Sequence, residues 1–117
     1  MTPNRQCIFC QILAGKMPAR VVYEDDAVLA FEDVRPQAPV HILIIPRHHL
    51  ASLSEASKKD EAVLGRMLLV ASEVARDRNI EAQGYRVVAN NGSWAGQSVD
   101  HFHLHVLGGR LFHWPPG

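Results

Sequence analysis

The sequence predicts an α+β fold: an antiparallel five-stranded sheet with one long helix and a short N-terminal helix. Three observations carry it. Short apolar, β-branched runs follow one another with turn residues between them, a single amphipathic stretch is long enough for several helical turns, and the strands succeed one another in hairpin-like order rather than alternating with helices as in a wound parallel sheet. With 117 residues, 47% hydrophobic and 21% charged, the chain is long enough for one core. Without internal repeat, low-complexity tract or Gly/Ser linker, residues 1–117 read as a single domain.

Ile8 to Ala14 reads as one or two turns of helix, ended by Gly15 and Pro18. Val21 to Glu24 and Ala27 to Glu32 read as two strands joined at Asp25-Asp26. His41 to Pro46, a β-branched apolar run closed by proline, has the composition of a central strand buried on both faces. The long helix follows. Leu64, Met67, Leu68, Ala71, Val74 and Ala75 recur at helical spacing as its core stripe, and Ser57 with Asp60 supplies a capping-box start. Tyr85 to Ala89 is the fourth strand, Asn90 to Ser98 a loop of turn-forming residues, and His101 to Leu107 the fifth strand.

Twelve basic and twelve acidic residues balance to a formal charge of zero, which leaves no long-range field to hold a nucleic acid polymer. Small anions stay open, because a few backbone N–H groups bind one phosphate without net charge. No apolar stretch of signal-peptide or membrane-spanning type occurs, so a cytoplasmic protein without a membrane partner is expected. In that reducing setting Cys7 and Cys10 need a reading other than a disulfide.

His101-Phe102-His103-Leu104-His105-Val106-Leu107 alternates with period two, so a strand here puts three imidazoles on one face and Phe102, Leu104 and Val106 on the other. Two chemistries fit: the imidazoles ligate a catalytic metal, or one is a nucleophile that its neighbours position and serve with protons. The preceding loop favours the second. Gly92 and Gly96 let backbone amides approach an anion, and Asn90 and Ser98 add donors.

This run matches the signature of the histidine triad (HIT) superfamily. Asp33 to His41, Gly96-Gln97-Ser98-Val99, and Gly108-Gly109-Arg110 through Trp114-Pro115-Pro116-Gly117 resemble its Hint branch, and the likeness runs from about Phe9 onward. The resemblance implies a HIT-like fold, a homodimer, and hydrolysis of purine nucleoside 5′-phosphoramidates through a nucleotidyl-histidine intermediate, with no cofactor required for catalysis. It also leaves open a hydrolase of dinucleoside polyphosphates or other nucleotide conjugates, and a catalytically silent nucleotide-binding module. Carried over by position, His103 attacks phosphorus, His101 and His105 flank it, and His41 joins a proton relay. Ser98 contacts the leaving amine or phosphate, and Asn90, Gly96 and Gln97 serve the phosphate. Asp33 receives the ribose hydroxyls, while Phe31, Val34 and Leu43 wall the base. Residues 111–117 form an extended tail whose Trp114 reaches the partner's active site.

Some triad proteins pair two such cysteines with a histidine after the third strand and the first triad histidine, so the resemblance implies a structural zinc on Cys7, Cys10, His49 and His101. Two departures stand out: Ala95 where many relatives have glycine, and Asp100 where the Hint branch usually has tyrosine. Ala95 resists positive φ, which puts the loop's shape in question. By alternation Asp100 faces away from the triad.

Overall fold

The computed structural model describes residues 6–117. Helix α1 is Ile8–Leu13, followed by strands β1 (Val21–Glu24), β2 (Val28–Glu32) and β3 (Val40–Pro46). The long helix α2 is Glu61–Asp77, and β4 (Tyr85–Ala89) and β5 (Leu104–Gly108) complete the sheet. All pairings are antiparallel, in the order β1-β2-β3-β5-β4. The α+β architecture is the predicted one, but β5 inserts between β3 and β4 instead of pairing in simple succession. The burial explains it. β5 is covered on both faces, whereas β4 alternates between half-buried and exposed residues and takes the edge.

Each sheet face carries its own core. On one, α2 lays Met67, Val70, Ala71, Val74 and Ala75 over Val28, Ala30, Ile42, Ile44, Leu104 and Val106. On the other, Leu29, Phe31, Leu43 and Ile45 pack with Cys7, Phe9 and Cys10 of the N-terminal segment. The predicted helix stripe needs one change: Leu68 is exposed and Val70 takes its place in the core. At roughly 100° per residue, Leu68 falls about 90° from the centre of the buried stripe and clears the sheet. The helix start is as expected, with Ser57 and Asp60 forming a capping box on a 3-10 turn at Lys58–Asp60 that runs into α2.

Strand limits also differ from expectation, with β3 beginning one residue earlier at Val40 and β5 ending one later at Gly108. Ala27 belongs to the turn, because Asp25 Oδ1 accepts the amides of both Ala27 and Val28 at 2.8 and 2.9 Å. Burial alone would raise the Asp25 carboxyl, but these amides with Tyr23 and Arg66 outweigh it and hold it well below its usual range. The fifth strand enters the ladder only at Leu104. Upstream the backbone is diverted: the Phe102 amide donates to the Leu50 carbonyl and the His101 carbonyl accepts from the His103 ring. At the other end, a Cβ on Gly108 would sit 2.5 Å from Ile80 Cδ1, and one on Gly109 (φ +91°) 2.9 Å from Pro39 Cβ. That close approach clamps the end of β5 to the loop between β2 and β3.

Candidate active site

The alternation read from the sequence holds in three dimensions. Phe102, Leu104 and Val106 enter the core under α2, while His105 pairs with Leu43, itself paired with Phe31, on the opposite face. His101 and His103 are buried and His105 is half-buried. The rings of His103 and His105 lie 5.0 Å apart.

Carbonyl oxygens only accept hydrogen bonds and backbone amides only donate, so the contacts of the rings assign their protons. His103 Nδ1 lies 2.8 Å from the His101 carbonyl and must carry the hydrogen, which leaves Nε2 with a free electron pair. His101 Nε2 lies 2.9 Å from the Pro46 carbonyl, so its lone pair is on Nδ1. His41 Nδ1 accepts the Gln37 amide at 3.0 Å, and its Nε2 lies 2.8 Å from His105 Nδ1. Burial lowers the basicity of all four rings. It takes His101 down to about 4, aided by His49 and His103, and His105 to about 4, aided by His103 and His41. His103 and His41 also fall, although Asp33 opposes the shift in each. At neutral pH His103 therefore presents a neutral imidazole with an available nitrogen.

Phe9 of α1 is a site residue that the sequence reading missed. Its ring meets His103 edge-on at 5.2 Å, His101 at 5.9 Å and Phe31 at 5.5 Å. The available signal was its position between Cys7 and Cys10, which must bring α1 against the histidine face if those thiols serve it.

In the loop before the triad, positive φ falls on Gly92 (+88°) and Gly96 (+87°), while Ser93–Ala95 forms a 3-10 turn. Ala95 thus never needs the conformation that disfavours it. Gln97 closes the loop: its Oε1 accepts the Gly92 amide, and its Nε2 donates to the carbonyls of Ala51 and Val99. Ser98 is exposed and lines an opening with Cys7 and Ile8, and Asp100 is exposed next to the buried His101. Asn90 directly follows Ala89, whose partner at the end of the β4–β5 ladder is Leu104, the residue after His103.

Asp33 accepts the Arg35 amide on Oδ1 at 2.8 Å and brings Oδ2 within 3.4 Å of His41 Nε2. Phe31 and Leu43 belong to the buried core on the histidine face, whereas Val34 is 92% exposed and lines an open cleft with Asp33. Trp114 is 82% exposed on the tail. The tail is anchored by a bond from Arg86 to the His113 carbonyl at 2.8 Å and by Arg110 stacked 4.2 Å from the centre of the Phe112 ring.

Cys7, Cys10, His49 and His101 bring their four donor atoms within 4.8 Å of one another. Tetrahedral zinc, with Zn–S near 2.3 Å and Zn–N near 2.0 Å, separates sulfur from nitrogen by about 3.5 Å. The distances here are 3.3 Å from Cys7 Sγ to His101 Nδ1, 3.3 Å from Cys10 Sγ to His49 Nδ1, and 3.5 Å from Cys10 Sγ to His101 Nδ1. His101 also turns its lone pair toward the sulfurs. The donor set is compatible with a structural zinc.

Comparison with known proteins agrees with this geometry. The HIT domain family model matches residues 14–112. An uncharacterized HIT-like protein of Synechocystis is 56% identical over 110 residues, 94% of this chain and 96% of its own. The crystal structure of a HIT family hydrolase from Legionella pneumophila superposes with a TM-score of 0.93 at 47% identity, covering 96% of this chain and 100% of that one. A histidine triad nucleotide-binding protein from Candida albicans (TM-score 0.81, 33% identity, 94% and 83% covered) is also similar. So is a zinc-bound histidine triad family protein from Mycobacterium smegmatis (TM-score 0.79, 34% identity, 90% and 76% covered). By fold, by the histidine row and by sequence, the chain belongs to the HIT domain family.

Proposed function

We propose that the protein hydrolyses the P–N bond of purine nucleoside 5′-phosphoramidates through a nucleotidyl intermediate on His103. The observation that carries this reading is the 2.8 Å bond between His103 Nδ1 and the His101 carbonyl, which leaves Nε2 as the ring's electron pair on a buried, neutral imidazole. That nitrogen attacks phosphorus, the P–N bond breaks, and the departing amine takes a proton from solvent at the exposed Ser98, a proton that the attacking water returns in the second step. Water then attacks phosphorus and displaces His103, releasing the nucleotide. The Gly92, Ala95, Gly96 and Gln97 amides are taken up inside the loop, so charge on the non-bridging oxygens is assigned to the Ser98 amide and Asn90, at a few kcal/mol of barrier per donor. Asp33 receives the ribose hydroxyls, and Phe31, Val34 and Leu43 border the base.

The same reading assigns a structural zinc to Cys7, Cys10, His49 and His101. These four side chains would hold the ion where the N-terminal segment meets the sheet, and it would supply a structural tie between the two. Burial raises the Cys7 thiol, which a cation would offset. The chain is further proposed to be a homodimer: β4 leaves one side of the sheet unpaired, and Val87 on it and Leu68 and Leu69 on α2 are exposed. In such a dimer the exposed Trp114 is assigned to the partner's site.

The test compares hydrolysis of adenosine 5′-phosphoramidate and of a diadenosine polyphosphate, with and without a strong chelator. Faster cleavage of the phosphoramidate, unaffected in its chemical step by the chelator, is expected. Preference for the polyphosphate moves the assignment to nucleotide-conjugate hydrolysis. Binding of AMP without turnover of either substrate reduces the protein to a binding module.

A further inference from the structure

The histidine pair beside the nucleophile ends on the backbone of Gln37, in the loop between β2 and β3. That residue is held at three points. Its N–H donates to His41 Nδ1 at 3.0 Å, its carbonyl accepts from Arg110 Nε at 3.0 Å, and its side-chain amide donates to the Arg35 carbonyl at 3.1 Å. Arg110 is itself fixed, by a bond to the Leu111 carbonyl and by its stack on Phe112. Gly109, pressed on Pro39, holds the same loop from the adjoining residue.

The proton positions follow from this arrangement. An amide hydrogen aimed at His41 Nδ1 requires a lone pair there, so neutral His41 carries its proton on Nε2. That proton points at His105 Nδ1, 2.8 Å away, and His105 must then carry its own on Nε2. Reversing the chain would put a hydrogen on His41 Nδ1, directly against the Gln37 N–H. Asp33, whose Oδ2 lies 3.4 Å from His41 Nε2, favours the same placement. The other titratable group facing the pair is His103, next to His105.

We propose that Arg110 is a positioning residue: by holding Gln37 it locks His41 and His105 into one tautomer and makes His105 Nε2–H a fixed hydrogen-bond donor. Resting on the function proposed above, this assigns His105 to donate to a phosphoryl oxygen and His41 to orient it. His41 does not carry protons outward, because its far nitrogen is closed by an amide that cannot accept one.

The test reads imidazole ¹⁵N shifts of labelled protein at neutral pH, alongside kcat and KM for adenosine 5′-phosphoramidate. In wild type, both rings should be protonated on Nε2 alone. Arg110→Met should give mixed tautomers at His41 and His105 and lower kcat roughly tenfold with little change in KM. Arg110→Lys, which retains a donor, should restore most of both. Replacing Gln37 by its α-hydroxy acid, which removes the N–H and keeps the side chain, should release the tautomer by itself. Wild-type protein with a proton on His41 Nδ1 overturns the lock, and unchanged shifts and kcat in Arg110→Met overturn the role of Arg110. The shifts need no turnover, so a protein that fails to cleave phosphoramidates contradicts the proposed function without touching this result.

Discussion

His101 and His105 stand two residues on either side of His103, His105 within β5 and His101 in the segment that leads into it, yet their surroundings have made them different groups. His101 is completely buried, gives its Nε2 hydrogen to the Pro46 carbonyl and turns a lone pair toward two thiols. His105 is half-buried, accepts on Nδ1 from His41 and so keeps its hydrogen on Nε2, with Asp33 grouped beside the pair. Each end also gathers enough donor atoms to suggest a metal. At the Asp33 end the short His41–His105 contact is accounted for as a hydrogen bond. At the cysteine end two soft sulfurs, the His101 lone pair and His49 Nδ1 converge within a spacing compatible with tetrahedral zinc. The partner of the second ring nitrogen decides what an imidazole can do.

Four experiments press on this contrast. Between the two ends, His103→Ala should lower kcat/KM by on the order of 10⁴-fold or more while the protein stays folded. At the cysteine end, Cys10→Ser should act on stability: loss of the tie should lower Tm by about 10 °C, with activity per folded molecule within a few-fold of wild type. At the open end, Asp33→Asn removes a charged acceptor worth about 1.5–3 kcal/mol, so kcat/KM should fall roughly 10- to 100-fold. Asp33 raises the basicity of His103, His41 and His105. Burial outweighs that and lowers all three rings, so wild-type kcat/KM should hold through neutrality and decline only below the ordinary histidine range; without the Asp33 charge, in Asp33→Asn, that acid limb should move to still lower pH. The smallest effect belongs to Ala95→Gly, expected to leave rates within about twofold because the left-handed positions are already glycines.

The contrast between the two ends was only half visible in the sequence. Alternate histidines, a glycine loop before them and a capping box before a helical stripe are local patterns with fixed periods, and each is present in the fold, the stripe with Val70 in place of Leu68 and the strand beginning only at Leu104. What escaped depends on tertiary contacts. The insertion of β5 beside β3 is a long-range pairing that strand succession does not encode. Leu68 lies at the margin of the helix stripe, where a few tens of degrees decide between core and solvent. Phe9 acts through a ring face that forms only when α1 folds over the sheet. The tautomers are set by the Pro46 and His101 carbonyls and the Gln37 amide, backbone groups whose positions no residue type announces.

The direct measurement is rapid-quench mass spectrometry of wild-type protein mixed with adenosine 5′-phosphoramidate, with peptide mapping of any acid-labile adduct. One adenylyl group should appear on His103 within a turnover and decay as AMP is released. Hydrolysis that proceeds while the adduct maps to another residue, or while none forms on a timescale faster than turnover, would contradict attack by His103.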